Sequence, residues 1–285
     1  MKLVRYGAVG AEKPGLIDDG GQLRDLSGVV ADLSGAAIGN EGLRRLAAID
    51  PASLPRVDGN PRFGAPVAGI GKMICVGMNY ADHAAETGAP VPEQPVLFMK
   101  ATTAIGGAND TVVIPRDSVK TDWEVELGVI IGEVTRDVTV DEAMHHVAGY
   151  AVINDLSERE FQLEHGGQWV KGKSCDTFGP IGPWLVTRDE VADPQNLSLW
   201  LEVNGHRYQN GNTRTMVFGV AQLVSYISRY MTLMPGDVIS SGTPAGVGLG
   251  LKPPTYLKPG DVIELGIEGL GRQRQDVVAH PGRRA

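Results

Sequence analysis

The residue types best suited to chemistry stand in Asp122-Trp123-Glu124-Val125-Glu126-Leu127, with Asp155 closing the next apolar run, Ala148 to Asp155. On an extended strand side chains two apart point the same way, so Glu124 and Glu126 share one face while Trp123, Val125 and Leu127 fill the other. Carboxylates held that close repel, and one takes up a proton unless a cation neutralises them. Oxygen ligands, with no Cys or His at metal-like spacing nearby, favour a hard ion (Mg2+, else Mn2+ or Ca2+) over Zn2+. An isolated E-x-E usually marks the acidic solvent face of a strand. Here the run continues into Gly128-Val129-Ile130-Ile131-Gly132, whose apolar character implies burial. Acidic groups entering a buried run need a partner.

A second group with chemical potential is His83 with Glu86, in Asn79-Tyr80-Ala81-Asp82-His83-Ala84-Ala85-Glu86-Thr87-Gly88. If Asn79 caps a short helix that Gly88 ends, the two fall three apart on one face. A carboxylate beside an imidazole raises its basicity and fixes its tautomer, as a general base that activates water requires. Outside an active site the same spacing is an ordinary surface contact. Two lysines end apolar or glycine-containing stretches, Lys100 after Pro95-Val96-Leu97-Phe98-Met99 and Lys173 in Gly172-Lys173-Ser174. Residues 167–174 match the letters of a phosphate-binding loop. Trp169 and Val170 would keep its amides from wrapping a phosphate, and no alternation of strand and helix surrounds it. Adjacent His145 and His146 diverge by roughly 100° on a helix and cannot chelate one ion well. Cys175 has no His beside it in sequence and reads as a structural thiol.

The elements that must position these groups are mostly short strands, so the fold class is α+β, mostly β. Lys2-Leu3-Val4-Arg5-Tyr6, Pro14 to Ile17 and Gln22 to Leu26 form a hairpin unit around the turn Asp18-Asp19-Gly20-Gly21. Asn40 is expected to cap a helix over residues 41–49, and Asp141 one over 142–147. The loop from Pro51 to Gly71 places a boundary between a small N-terminal domain, 1–70, and a main domain, 71–285. Farther on, Leu197 to Val203, the turn Asn204-Gly205 and a returning strand make a hairpin, Val217 to Tyr230 has helical spacing, and residues 242–248 form a glycine-rich loop whose amides can approach an anion.

Charge and composition narrow the partners. A formal charge of -8 with pI near 5.3 opposes nucleic-acid binding. An anionic small-molecule substrate would need a metal or a placed Lys. Two cysteines in 285 residues imply a reducing compartment and free thiols. No leader is evident, and no apolar run approaches the roughly 18 to 20 residues that span a bilayer, so a soluble, cytoplasmic protein without a membrane partner is expected.

With these residues in view, the chain resembles the fumarylacetoacetate hydrolase family from about Met73 to about Leu270. The match rests on Gly77-Met78-Asn79-Tyr80 with His83 and Glu86, on Glu124-x-Glu126-Leu127, on Asp155 with Ser157, Arg159 and Gln162, on Gly172-Lys173-Ser174 with Thr177, and on Ser241-Gly242-Thr243-Pro244. The resemblance implies a mixed β-roll or sandwich, often a homodimer, with Mg2+ or Mn2+ held by Glu124, Glu126 and Asp155. It further implies a catalytic Lys173, a water-activating pair His83 and Glu86 on a lid, and substrate contacts from Gln162, Thr177 and Thr243, to which we add Arg159 and Lys100. Ser157-Glu158-Arg159-Glu160 departs from the Ser-Ala-Arg-Asp of many relatives and looks most like the branch acting on 2,4-diketo-3-deoxy sugar acids of rhamnonate or fuconate breakdown, often labelled ureidoglycolate lyase. The implied reaction is hydrolysis of a carbon-carbon bond in a 2,4-diketo acid, giving pyruvate and a second organic acid. Decarboxylation of oxaloacetate and isomerisation of a hydroxymuconate-type diacid are the alternatives on the same site, and a metal-binding protein without activity is a third.

Overall fold

The computed structural model describes residues 1–88 and 90–282. Three strands open the chain, β1 (Lys2–Tyr6), β2 (Lys13–Ile17) and β3 (Leu23–Asp25), before helix α1 (Asn40–Ala47). Next come β4 (Met73–Gly77), helix α2 (Ala81–Thr87), β5 (Val96–Lys100), β6 (Ile105–Gly107), β7 (Val112–Ile114), β8 (Thr121–Asp122) and the long β9 (Val125–Ile131). The middle holds α3 (Val140–Ala143), β10 (Val147–Asn154), β11 (Ser157–Glu158), α4 (Arg159–Leu163), α5 (Val170–Lys173) and β12 (Gly179–Thr187). Then follow β13 (Ser198–Val203), β14 (His206–Asn212), α6 (Val220–Ser228), β15 (Val238–Ser240), β16 (Val262–Ile267) and β17 (Gly271–Ala279).

Most of these strands join a mixed sheet in the order β3-β2-β1-β12-β10-β9-β15-β4-β5, with β6 alongside β12; a second sheet runs β14-β13-β16-β17-β7. The protein is thus mostly β with short helices, as its residues imply. Strand β9 lies between β10 and β15 with every residue buried, which is why it reads as an unbroken apolar run. Its alternation sorts the two faces cleanly. Trp123, Val125, Leu127, Val129 and Ile131 pack with the second sheet and with Leu223 and Ile227 of α6. Ile130 packs instead with Ala151 and Ile153 of β10, Met73 and Cys75 of β4, and Leu3, Leu26, Leu33 and Ile38 of the N-terminal region. Residues on both sides of position 70 therefore share a core, and β1 pairs directly with β12.

Several local expectations are corrected. Asn40 does not cap α1: Gly39 does, because the Glu133 carboxylate already accepts the Asn40 amide at 2.7 Å. Asp141 is likewise inside its helix. Thr139 is the cap, in a capping box with Glu142, and α3 gives way to a tighter turn at Met144–His146. At α2 the capping position falls to Tyr80. The Asn79 side chain instead donates to the carbonyls of Phe218 and Ser241, at 3.0 and 2.7 Å, and so anchors the start of α2 to the glycine-rich loop. The Asn204-Gly205 turn forms as expected, with positive φ at both residues.

Candidate active site

The antiparallel register of β9 with β10 sets Val125 opposite Asn154 and Glu126 opposite Ile153. Asp155, one residue past β10, donates its amide to the Glu124 carbonyl at 2.9 Å. That pairing brings three buried carboxylates together: Glu124, Glu126 and Asp155 each offer an oxygen, and these lie within 4.8 Å of one another.

Three buried cations answer them. Lys173 Nζ reaches Glu124 Oε2 at 2.5 Å and Asp155 Oδ2 at 2.8 Å. Arg159 donates to Glu124 Oε1 at 2.7 Å, to Asp122 Oδ2 at 2.9 Å and to Gln162 Oε1 at 2.9 Å. Lys100 Nζ lies 2.6 Å from Asp155 Oδ1 and donates to the carbonyls of Leu156 and Lys173. Glu126 Oε2 accepts from Ser240 Oγ at 2.6 Å and from the Gly242 amide at 2.9 Å. Gly242 has φ of +102°, and a Cβ there would stand 2.8 Å from that of Asn79, so glycine is required for this approach.

Counting Asp122, four carboxylates face three cations, an excess of one negative charge. The excess falls on Glu126. Burial, then the charges of Asp155 and Glu124, push its carboxyl well above the usual range. Burial acts the same way on Glu124, but Lys173 and Arg159 outweigh it and hold that carboxyl at about 2. The donor set of three buried, converging carboxylates, all oxygen ligands, fits a hard divalent cation. Such an ion would reverse the local excess to one positive charge, which suits an anionic substrate.

Above this cluster sits α2. His83 Nδ1 is 3.2 Å from Glu86 Oε2, and Glu86 Oε1 accepts the Gly246 amide at 2.9 Å. Asp122 accepts the amides of Gly248 and Leu249 at 2.7 and 2.9 Å. The anions approached by the glycine-rich loop are therefore the protein's own carboxylates, Glu126, Glu86 and Asp122. Sequence reasoning left Asp122 without a role, although it continues the alternation of Glu124 and Glu126. It ties the loop to Arg159.

One cavity of about 210 Å³ joins these groups, lined at its polar end by Glu124, Glu126, Arg159, Gln162, Lys173 and Thr243 with His83 beside them. Lys173 is delivered there by Gly172, where a Cβ would stand 2.3 Å from the Glu158 carbonyl and 2.6 Å from Gln162. The glycine of Gly172-Lys173-Ser174 thus serves close packing of α5 on α4, not phosphate binding. Two expected substrate contacts lie elsewhere. Lys100 stands behind the carboxylates, paired with Asp155, and Thr177 Oγ1 accepts the Val113 amide at 2.9 Å outside the cavity. Thr243 does line it, its hydroxyl held between the Val125 carbonyl and Gln209. Both cysteines are free; burial pushes the Cys175 thiol up to about 11, so it is not a nucleophile near neutral pH. A wider cleft of about 890 Å³ beside Trp184 holds none of these groups.

Residues 72–278 match the family model described as Fumarylacetoacetate (FAA) hydrolase C-terminal, and the chain belongs to this family. Three solved structures share the architecture almost end to end. A fumarylacetoacetate hydrolase from Exiguobacterium antarcticum is 39% identical, with TM-score 0.87 over 98% of this chain and 100% of that one. Maleylpyruvate hydrolase from Sphingobium sp. SYK-6, solved with manganese(II) and pyruvate, is 30% identical, with TM-score 0.81 over 98% and 99%. A 2-hydroxyhepta-2,4-diene-1,7-dioate isomerase from Mycobacterium marinum is 32% identical, with TM-score 0.75 over 99% of both chains. The chain is accordingly an enzyme of a family with hydrolase and isomerase members. No helix among the described residues is long and apolar enough to cross a membrane.

Proposed function

We propose that this enzyme hydrolyses the bond between C3 and C4 of a 2,4-dioxo acid, R-CO-CH2-CO-COO⁻. Water adds its oxygen to C4, the C3–C4 electron pair leaves with C3, and a proton on C3 completes pyruvate; the acyl part departs as R-COO⁻ with release of one proton. The observation that carries this reading is one cavity whose lining brings His83, paired with Glu86, together with Glu124, Glu126 and Lys173 of the carboxylate and lysine cluster. The manganese(II) and pyruvate of the Sphingobium hydrolase support it by similarity.

Glu124, Glu126 and Asp155 would hold Mg2+ or Mn2+, which when bound supplies Lewis-acid polarisation at the pyruvyl end. Arg159 and Gln162 orient the substrate carboxylate. Glu86 accepts from His83 Nδ1 and leaves Nε2 to take the proton of the attacking water. Lys173, whose ammonium is stabilised against burial by Asp155 and Glu124, places a fixed positive charge where the leaving enolate develops. A second reading, isomerisation of a hydroxydienedioate, has the Mycobacterium marinum relative in its favour and needs the same cation but no water. The homodimer and the 1–70 and 71–285 division belong to the same proposal.

Pyruvate release from acylpyruvates with Mg2+ or Mn2+ supplied tests the reading. Hydrolysis predicts stoichiometric pyruvate whose release His83→Ala slows about 1,000-fold. Turnover of a hydroxydienedioate without pyruvate, undiminished in that variant, would establish the isomerase instead.

A further inference from the structure

Away from the carboxylates the cavity changes character. Phe98 of β5, Trp169 ahead of α5, Leu163 of α4, Met78 and Leu249 form the rest of its wall with Val76 and Gly77. The aromatic part is deliberately accommodated: Phe98 and Trp169 meet edge to face, with centroids 5.3 Å apart at 66°, and a Cβ on Gly77 would stand 2.5 Å from Trp169 Cζ3. Lys173 Nζ lies 4.9 Å from the Phe98 ring centroid, so this wall begins directly beside the site of bond cleavage. Lys173 and Arg159 are the only Lys or Arg among the described residues lining the cavity, and both lie at its carboxylate end, paired with Glu124, Asp155 and Asp122 and facing the pyruvyl part of the substrate. The Thr243 hydroxyl is committed too.

A remote carboxylate on the acyl group would thus give up part of its hydration against aromatic and aliphatic carbon with no Lys or Arg to meet it, and a chain of hydroxyls would lose some of its hydrogen bonds. An alkyl or aryl group gains from the same burial. We propose that the acyl subsite, framed by Phe98, Trp169, Leu163, Met78 and Leu249, selects acylpyruvates whose far end is uncharged and apolar, over dicarboxylic and polyhydroxylated 2,4-dioxo acids. The proposal rests on the hydrolase reading above and sharpens its substrate class. It runs against the sugar-acid branch that Ser157-Glu158-Arg159-Glu160 resembles, because those residues do not form this wall.

The test compares kcat/KM of the Mn2+-loaded enzyme on pentanoylpyruvate, benzoylpyruvate, the near-isostere succinylpyruvate and a 2,4-diketo-3-deoxy sugar acid. Rejection of a polar end by an apolar subsite predicts about 100-fold preference for the first two. Values within threefold, or a preference for the charged or hydroxylated substrates, overturn this inference while leaving the hydrolase reading intact; no cleavage of any of the four overturns both. Leu163, 46% exposed, can carry a cation without burying it. Leu163→Arg should therefore raise succinylpyruvate relative to pentanoylpyruvate by about tenfold. An unchanged ratio in the folded variant counts against the subsite.

Discussion

Two ionic clusters in this molecule share the same arithmetic and differ in what water can reach. Near the N-terminal strands, Arg62 pairs with Asp110 at 2.6 Å and with Glu12 at 2.8 Å, while Arg5 pairs with Asp32 at 2.7 Å. Three carboxylates there meet two guanidinium groups, an excess of one negative charge, as in the active-site cluster. Yet every one of those five side chains keeps some exposure, between 10 and 28%. Burial pushes Glu12 and Asp110 upward, but the hydrogen bonds and charge of Arg62 win, and both carboxyls fall below their ordinary values. In the buried cluster water screens the surplus poorly, and Glu126 sheds it by favouring the protonated carboxyl. The first cluster is a fastening; the second is a charge deficit shaped for an ion.

The sharpest way to break this comparison is to remove the surplus carboxylate. Glu126→Gln should lower turnover by about 10,000-fold, because the cation and everything it polarises go with it. The same variant, free of metal, should melt no lower than wild type, since burial and the neighbouring charges already favour the neutral carboxyl at Glu126 and the amide replaces one neutral group by another. A large fall in its melting temperature would place Glu126 with the fastenings. His83→Ala comes next, with kcat down about 1,000-fold and stability little changed, as measured by pyruvate release and thermal melting.

Asp122 sits between the two kinds of group, since it fixes Arg159 and also two amides of the loop that carries Leu249. Asp122→Asn should cost about 1 to 3 kcal/mol of stability and about tenfold in kcat/KM, read by urea unfolding and steady-state kinetics. Arg62→Ala should cost only about 1 kcal/mol and leave kcat alone. Its penalty depends on ionised Glu12 and Asp110, whose ordinary values are 4.5 and 3.8 and whose folded values are lower. The stabilisation is therefore complete above those ordinary values and is lost as pH falls through the depressed ones, so wild type and variant should converge in acid.

How much of this was legible beforehand follows from the range of each signal. The period of two exposed the shared face of Glu124 and Glu126, because strand alternation is local. The spacing of His83 and Glu86 was equally local, and both contacts are present. The partners of Lys100 are not legible in sequence, because the direction of a side chain at the end of β5 depends on what packs behind it, here Asp155 and two carbonyls. Thr177, in the turn before β12, accepts the Val113 amide, a long-range contact that its own neighbours in sequence do not announce. The caps at Asn40 and Asp141 failed where Glu133 and Thr139 satisfied the amides first. Phe98, Trp169 and Leu249 gave no warning at all: they are ordinary apolar letters until Gly77 and the loop bring them to one wall.

The most direct measurement is titration of the metal-free protein with Mn2+, followed by calorimetry and by the paramagnetic resonance of the free ion. Wild type should take up about one ion per chain, and Glu126→Gln, with its circular dichroism unaltered, should take up none at the same concentrations. Uptake by the variant as tight as that of wild type, or no uptake by wild type, would contradict the account.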